Sequence, residues 1–269
     1  QNRDLQIIKI SMAGSLLIFG YYFISSMNPS GWVTHSQNHV SVVIIFISTF
    51  YYLNKINQGN KSLSYVPSII SLIVSIFAYG RSGIISSAII FFGLIIYNTF
   101  IRISLKNIIY TLALLIFFSI LANQYHYIIK LALNKFYLDG LASNNRSIVI
   151  NYWLSEVVRI PSLFFGVDFS ILKVSDNLTT HNSFLTMHSR FGFALPLILL
   201  NILKVLIVGF KKNIFIVFLF LAILVRSSTD NILIGSGFLF GVLFYCFLMM
   251  VKKINANQEN RFESVVTLS

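Results

Sequence analysis

Charge is what this chain has least of. Only 10% of its 269 residues are charged, whereas 56% are hydrophobic. A water-soluble domain of this size cannot bury so much apolar surface in one core, so that class is excluded. Cysteine is nearly absent too: Cys246 stands alone inside an apolar run, which rules out a disulfide framework. Acidic residues number 8 against 20 Lys and Arg, giving a formal charge of +12. In a soluble protein that excess would suggest nucleic acid. Here the cations flank apolar runs instead, and no nucleic-acid partner is expected. There is no transporter-like internal repeat, no low-complexity tract and no signal-peptide pattern. The chain starts at Gln1 rather than Met, which reads as a piece of a longer protein lacking N-terminal helices.

What the sequence does contain is apolar runs. Eight stand out, near 7–26, 39–53, 66–79, 83–101, 107–122, 191–210, 213–226 and 231–250. Several are short for a hydrocarbon layer of about 30 Å. Short spans are tolerated in a bundle where neighbours or a water-filled cavity cover them. The expected fold is all-α: a polytopic transmembrane helix bundle, one membrane domain over 1–269.

Lys and Arg orient it. Arg3 and Lys9, then Lys55 and Lys61, Arg102 and Lys106, Lys211 and Lys212, and Lys252 and Lys253 fall on one side if every span crosses. The first opposite loop, 27–38, has neither residue. The positive-inside rule makes the basic side cytoplasmic. Both termini are then cytoplasmic, with 252–269 a cytoplasmic tail, and Arg81, segment 123–190 and Arg226 face outward.

The outer segment 123–190 reads as folded rather than as a linker. Residues 128–138 pattern as an interfacial amphipathic helix. Ser143-Asn144-Asn145 supplies capping residues for a second helix with Ile150, Trp153, Leu154, Val157 and Val158 on one face. Pro161 ends it, and a turn containing Gly166 follows. The two helices would form a lid over the bundle's mouth.

Few side chains here can do chemistry. Arg81, in Gly80-Arg81-Ser82-Gly83, is a permanent cation between two apolar spans, costly unless needed. Its planar fork suits phosphate, and the flanking glycines suit the close approach of a ligand or backbone. Alternatively it snorkels to the interface. His181, where the outer segment approaches the membrane, fits a general acid or base, or an interfacial histidine bonded to a carbonyl. His188 lies seven residues on, and no carboxylate is near enough in sequence to complete a metal site. Asp230 is either an alternative base or the partner of Arg226, pairing being the stronger reading.

Taken in order, these strings resemble the bacterial O-antigen polymerase and O-antigen ligase superfamily. The resemblance rests on Gly80-Arg81-Ser82-Gly83 between two spans, and on Asn145-Arg146-Ser147 followed by Trp153. His181-Asn182 with Gly192 downstream completes it. Asn38-His39 and the polar turn from Arg226 to Asn231 are similar to further landmarks of that family. Leu195 departs from the Gly, Thr or Tyr that usually closes the ligase pattern, which favours the polymerase side.

The resemblance implies a multi-pass glycosyltransferase of the bacterial cytoplasmic (inner) membrane, with its site on the outer face and 123–190 as the catalytic loop. Donor and acceptor would be glycans on undecaprenyl pyrophosphate, polymerised into O-antigen or capsule, with a chain-length regulator as a possible partner. His181 would deprotonate the acceptor hydroxyl. Arg81 and Arg146 would stabilise the departing pyrophosphate with neither metal nor cofactor. Arg190, Arg226, Asn182 and Trp153 would bind substrate. The alternatives are a ligase acting on lipid A core and, in another class, a transporter or flippase of lipid-linked glycan. A transporter should carry ionisable groups at mid-span, whereas here they gather at span ends. For the orientation, reporter fusions after Lys106 and after Asp139 should report opposite sides of the membrane. The same side for both would break the arrangement.

Overall fold

The computed structural model describes residues 6, 14, 38–60, 62–78, 81–101, 109, 116, 123, 144–170, 172, 182–230, 232–233 and 242–254. These are mostly helical, with no strand among them. The helices are α1 (Asn38–Asn57), α2 (Val66–Phe77), α3 (Arg81–Ile96), α4 (Asn144–Val157) and α5 (Ile160–Phe165). They continue with α6 (Ser183–Phe191), α7 (Ala194–Lys212), α8 (Ile214–Ser227) and α9 over 242–254. Two stretches, Val40–Asn57 and Arg81–Thr99, are long and apolar enough to cross a membrane. Apart from Gly14, Ile109 and Ile116, the expected spans near 7–26 and 107–122 lie outside the described residues, as do the amphipathic run 128–138, residues 234–241 of the last expected span and the tail beyond 254.

The 20 residues of α1 reach about 30 Å at 1.5 Å per residue. Its last turn meets the start of α2 through Tyr52, whose hydroxyl donates to the Ser64 carbonyl at 2.9 Å and accepts from Ser68 N–H at 3.0 Å. Pro67 lies in the first turn of α2, where its missing N–H costs little. At 12 residues α2 is only about 18 Å long.

Between α2 and α3 the contact is made by hydroxyls. Ser87 bonds Ser71 at 3.0 Å and Ser75 at 2.8 Å, all three fully buried. Small polar residues let backbones approach and supply hydrogen bonds where apolar packing alone gives no preference. Gly83 serves the same end. A Cβ there would lie 2.6 Å from Ser41 Oγ of α1. The close approach expected at this glycine is therefore made by a neighbouring helix. Gly93 admits the Phe218 ring of α8 in the same way.

Helix α3 is the hub, packing on α1, α2 and α8. It runs antiparallel to α8: Ser82 meets Arg226 at one end, Gly93 meets Phe218 midway, and Tyr97 stacks near Phe215 at the other. The far end is tied by Asn98, which donates to the Leu63 carbonyl at 2.9 Å from the π-helical turn Tyr97–Ile101. Nearby, Asn213 caps α8 by accepting from Phe215 N–H at 2.9 Å and reaches the Tyr97 hydroxyl at 3.5 Å. So the chain near Leu63, Asn98 and Asn213 gathers at one end, and that near Ser82 and Arg226 at the other.

The exterior is apolar. Leu197, Leu200, Leu203 and Ile207 of α7 are all half exposed or nearly so, at helical spacing on one face. Gly93→Ala should force Phe218 aside and destabilise the α3–α8 contact by about 1–3 kcal/mol. Thermal unfolding in detergent checks this, and an unchanged midpoint would show that the two helices do not touch at Gly93.

Candidate functional site

The most heavily buried cation of the described residues is Arg226, in the last turn of α8 with no exposed surface. Its Nη1 donates to Ser82 Oγ of α3 and to Thr229 Oγ1 at 3.2 Å. Asp230 Oδ2 lies 2.5 Å away as an ion pair one turn on. Asp230 is therefore occupied with Arg226, the pairing anticipated from sequence. A buried guanidinium is tolerated only with such partners, and stripping one from a buried pair typically costs about 3–5 kcal/mol. Arg226 was expected to touch substrate. In this arrangement its guanidinium is enclosed, and it acts by tying the first turn of α3 to the 226–230 turn.

Arg81 opens α3 beside Ser82 and is half-buried. The sequence placed it between two spans, but Arg81, Ser82 and Gly83 form the helix's first turn. An arginine at a helix start is not favoured by the helix dipole. The same end presents backbone N–H groups, which suit an anion.

Ser183, overlooked in the sequence, joins a third strand of chain to this end. Its hydroxyl donates to the Asp230 carbonyl at 2.7 Å and accepts from Ile232 N–H at 2.8 Å and Leu233 N–H at 3.1 Å. Asn182, immediately before it, caps α6 by accepting from Phe184 N–H at 2.9 Å and Leu185 N–H at 3.2 Å. Its side-chain oxygen is thereby engaged in capping. His181 is next in the chain and lies outside the described residues, as does the Arg146 side chain, although Arg146 belongs to α4.

Helix α4 is docked by Trp153. Its indole N–H donates to His188 Nδ1 of α6 at 3.1 Å, and the two rings meet edge to face. Around them Val149, Val167, Phe169 and Leu185 form a small core. The buried side of α4 thus centres on Val149, Tyr152, Trp153 and Val157. Ile150 and Leu154, assigned to one face with Trp153, are exposed. The helix ends at Val157, and Pro161 begins α5 rather than simply closing α4. Trp153, expected at the substrate, has its N–H committed to His188 and so positions the helix that carries Arg146.

Two glycines make the junction possible. Gly166 and Gly192 both have positive φ, at 95° and 50°. Any Cβ there would strike backbone: His188 and Ser189 carbonyls at Gly166, and the Phe164 carbonyl at Gly192. Gly192 is thus demanded by backbone geometry. Arg190, in the last turn of α6, is exposed. Among the described residues no three His, Cys, Asp or Glu side chains gather as a metal site.

No known protein family, curated protein or solved structure matches this chain.

Burial pushes the His188 imidazole below its ordinary 6.5, with the nearby Leu163 carbonyl acting in the opposite direction. Because Nδ1 accepts from Trp153, the neutral ring carries its proton on Nε2, and protonation must break the Trp153 bond. With the folded value depressed, this tie is complete above pH 6.5 and is lost as pH falls through the folded value. In a Trp32→Phe background, Trp153 emission should change as pH drops below 6.5, and His188→Gln should abolish that change. A pH-independent spectrum in the parent would rule out the tie.

Proposed function

We propose that the chain is a multi-pass glycosyltransferase of the bacterial cytoplasmic membrane. It polymerises undecaprenyl-pyrophosphate-linked repeat units into a surface polysaccharide on the outer face. The observation that carries this reading is the meeting of three separated segments at one bundle end. Ser82–Arg226 joins the turn of Arg81 to the end of α8, and Ser183–Asp230 brings in Asn182, next to His181 in sequence. The exposed apolar face of α7 supports a lipid surround.

Inverting transfer requires the acceptor hydroxyl to lose its proton while attacking the donor sugar's C1, as the bond to pyrophosphate breaks. His181 takes that proton. Arg81 and Arg146 take up charge on the departing pyrophosphate, whose oxygens match the guanidinium fork. Arg190 is exposed near the end of α6 and is a further contact for phosphate or glycan. Two arginines in place of a metal make the reaction insensitive to chelators.

Assays with purified lipid-linked repeat units test the reading. His181→Ala should reduce polymerisation by about 10²–10⁴-fold, the usual scale of general-base catalysis, while leaving donor binding largely intact. Arg81→Lys should not restore full activity, because Lys keeps the charge and loses the fork. Full polymer length in both variants would remove the assignment, and inhibition by EDTA would replace the arginine mechanism. In cells, deletion should leave a single repeat unit on lipid A core. Loss of all glycan from core, with lipid-linked polymer accumulating, would identify a ligase.

A further inference from the structure

Helix α5 is built of Ile-Pro-Ser-Leu-Phe-Phe and buries none of its residues. Phe165 is 84% exposed, Val158 in the preceding turn 78% and Ile160 73%. Leu154, near the end of α4, adds a further 52%-exposed side chain. Four large apolar side chains on one elbow, unshielded, would be an aggregation hazard if water covered them.

The elbow's position identifies what covers it. The Phe164 carbonyl accepts from Phe193 N–H at 3.0 Å, and the two rings pack at 5.2 Å. That fixes α5 level with the start of α7. Phe193 and Leu197 are exposed there and lead into the apolar face at Leu200 and Leu203. One apolar surface therefore runs from the elbow onto α7, and the same surround covers both. At its margin stand the exposed cations Arg159 and Arg190. Arg159 pairs with Glu156 at 3.0 Å, and exposed Asp168 follows the elbow, so cations and carboxylates both stand at this margin. On the same exposed side of α4, Asn151 and Ser155 stand beside Leu154. A continuous apolar surface edged by polar and charged side chains matches a segment lying at the interface of a phospholipid leaflet.

We propose that the elbow from Leu154 to Phe165 is seated in the lipid leaflet that meets the start of α7. Phe165 and Ile160 lie among acyl chains, and Arg190 lies at the headgroup phosphates. The inference rests on the membrane reading above and is independent of the glycosyl-transfer chemistry. Its consequence is mechanical. Seated elbow and Trp153–His188 tie together hold α4, and with it Arg146, at a set height above the bilayer.

Site-directed spin labelling tests it in the full chain reconstituted into phospholipid vesicles. Single cysteines replace Phe165, Leu200 and Ser155 in turn, in a Cys246→Ala background. The label at Phe165 should collide readily with oxygen and poorly with a water-soluble nickel chelate. Its depth should be about 5–10 Å below the phosphates. The label at Leu200 should be deeper, and that at Ser155 should meet the chelate. A Phe165 label that meets the chelate, or is shielded from both reagents, overturns the proposal while a lipid-exposed Leu200 preserves the membrane reading. A Leu200 label that meets the chelate removes both. Should the label at Phe165 disturb folding, brominated-lipid quenching of Phe165→Trp in a Trp32→Phe background, beyond that of Trp153 in the background alone, reads the same depth. Absence of quenching beyond that background overturns the seating.

Discussion

A buried positive charge organises this end of the molecule. Arg226 cannot be hydrated where it lies, so its guanidinium must be satisfied by protein. Ser82 satisfies it from α3, and Thr229 and Asp230 satisfy it from the turn that follows α8. Ser82 and Arg226 are 144 positions apart in the chain. Because Ser183 holds the carbonyl of the same Asp230, the constraint extends to the start of α6. The arrangement of Arg81, Asn182 and the 226–230 turn follows from that one requirement.

The rest of the bundle uses weaker and more numerous contacts. Hydroxyls of Ser71, Ser75 and Ser87 pair across α2 and α3, and glycines at 83 and 93 let α1 and α8 approach α3. Such contacts are suited to a surround that offers no hydrophobic drive for helix association. Helix α4 is held differently, by a small apolar core and one hydrogen bond between an indole and an imidazole. Among the described residues, the Trp153–His188 bond that docks α4 is titratable.

Pairing roles with positions changes how several residues are understood. Arg226 and Trp153 have the composition of binding residues, yet Nη1 of the first and the indole N–H of the second are spent on protein. The first orients the helix that begins with Arg81, and the second orients the helix that carries Arg146. Gly192 belongs to the same group, since its backbone conformation lets α5 dock at the head of α7. Residues that shape a site and residues that work in it carry the same sequence signature here. Only their partners separate them.

Long apolar runs, with cations between them, determined the helical class and the approximate limits of α1, α2, α3, α7 and α8. These depend on local composition, because a run of apolar side chains favours a helix wherever backbone polar groups cannot reach water. Candidate polar residues were legible for the same reason: charge is scarce, so each charged residue stands out. Which of them are free and which are consumed was not legible. Ser183 has no local pattern that marks it as a junction, and the exposed flank of α4 at Ile150 and Leu154 looks as apolar as its buried one. Those assignments belong to the tertiary structure, because burial and hydrogen bonding are fixed by contacts between segments far apart in the chain.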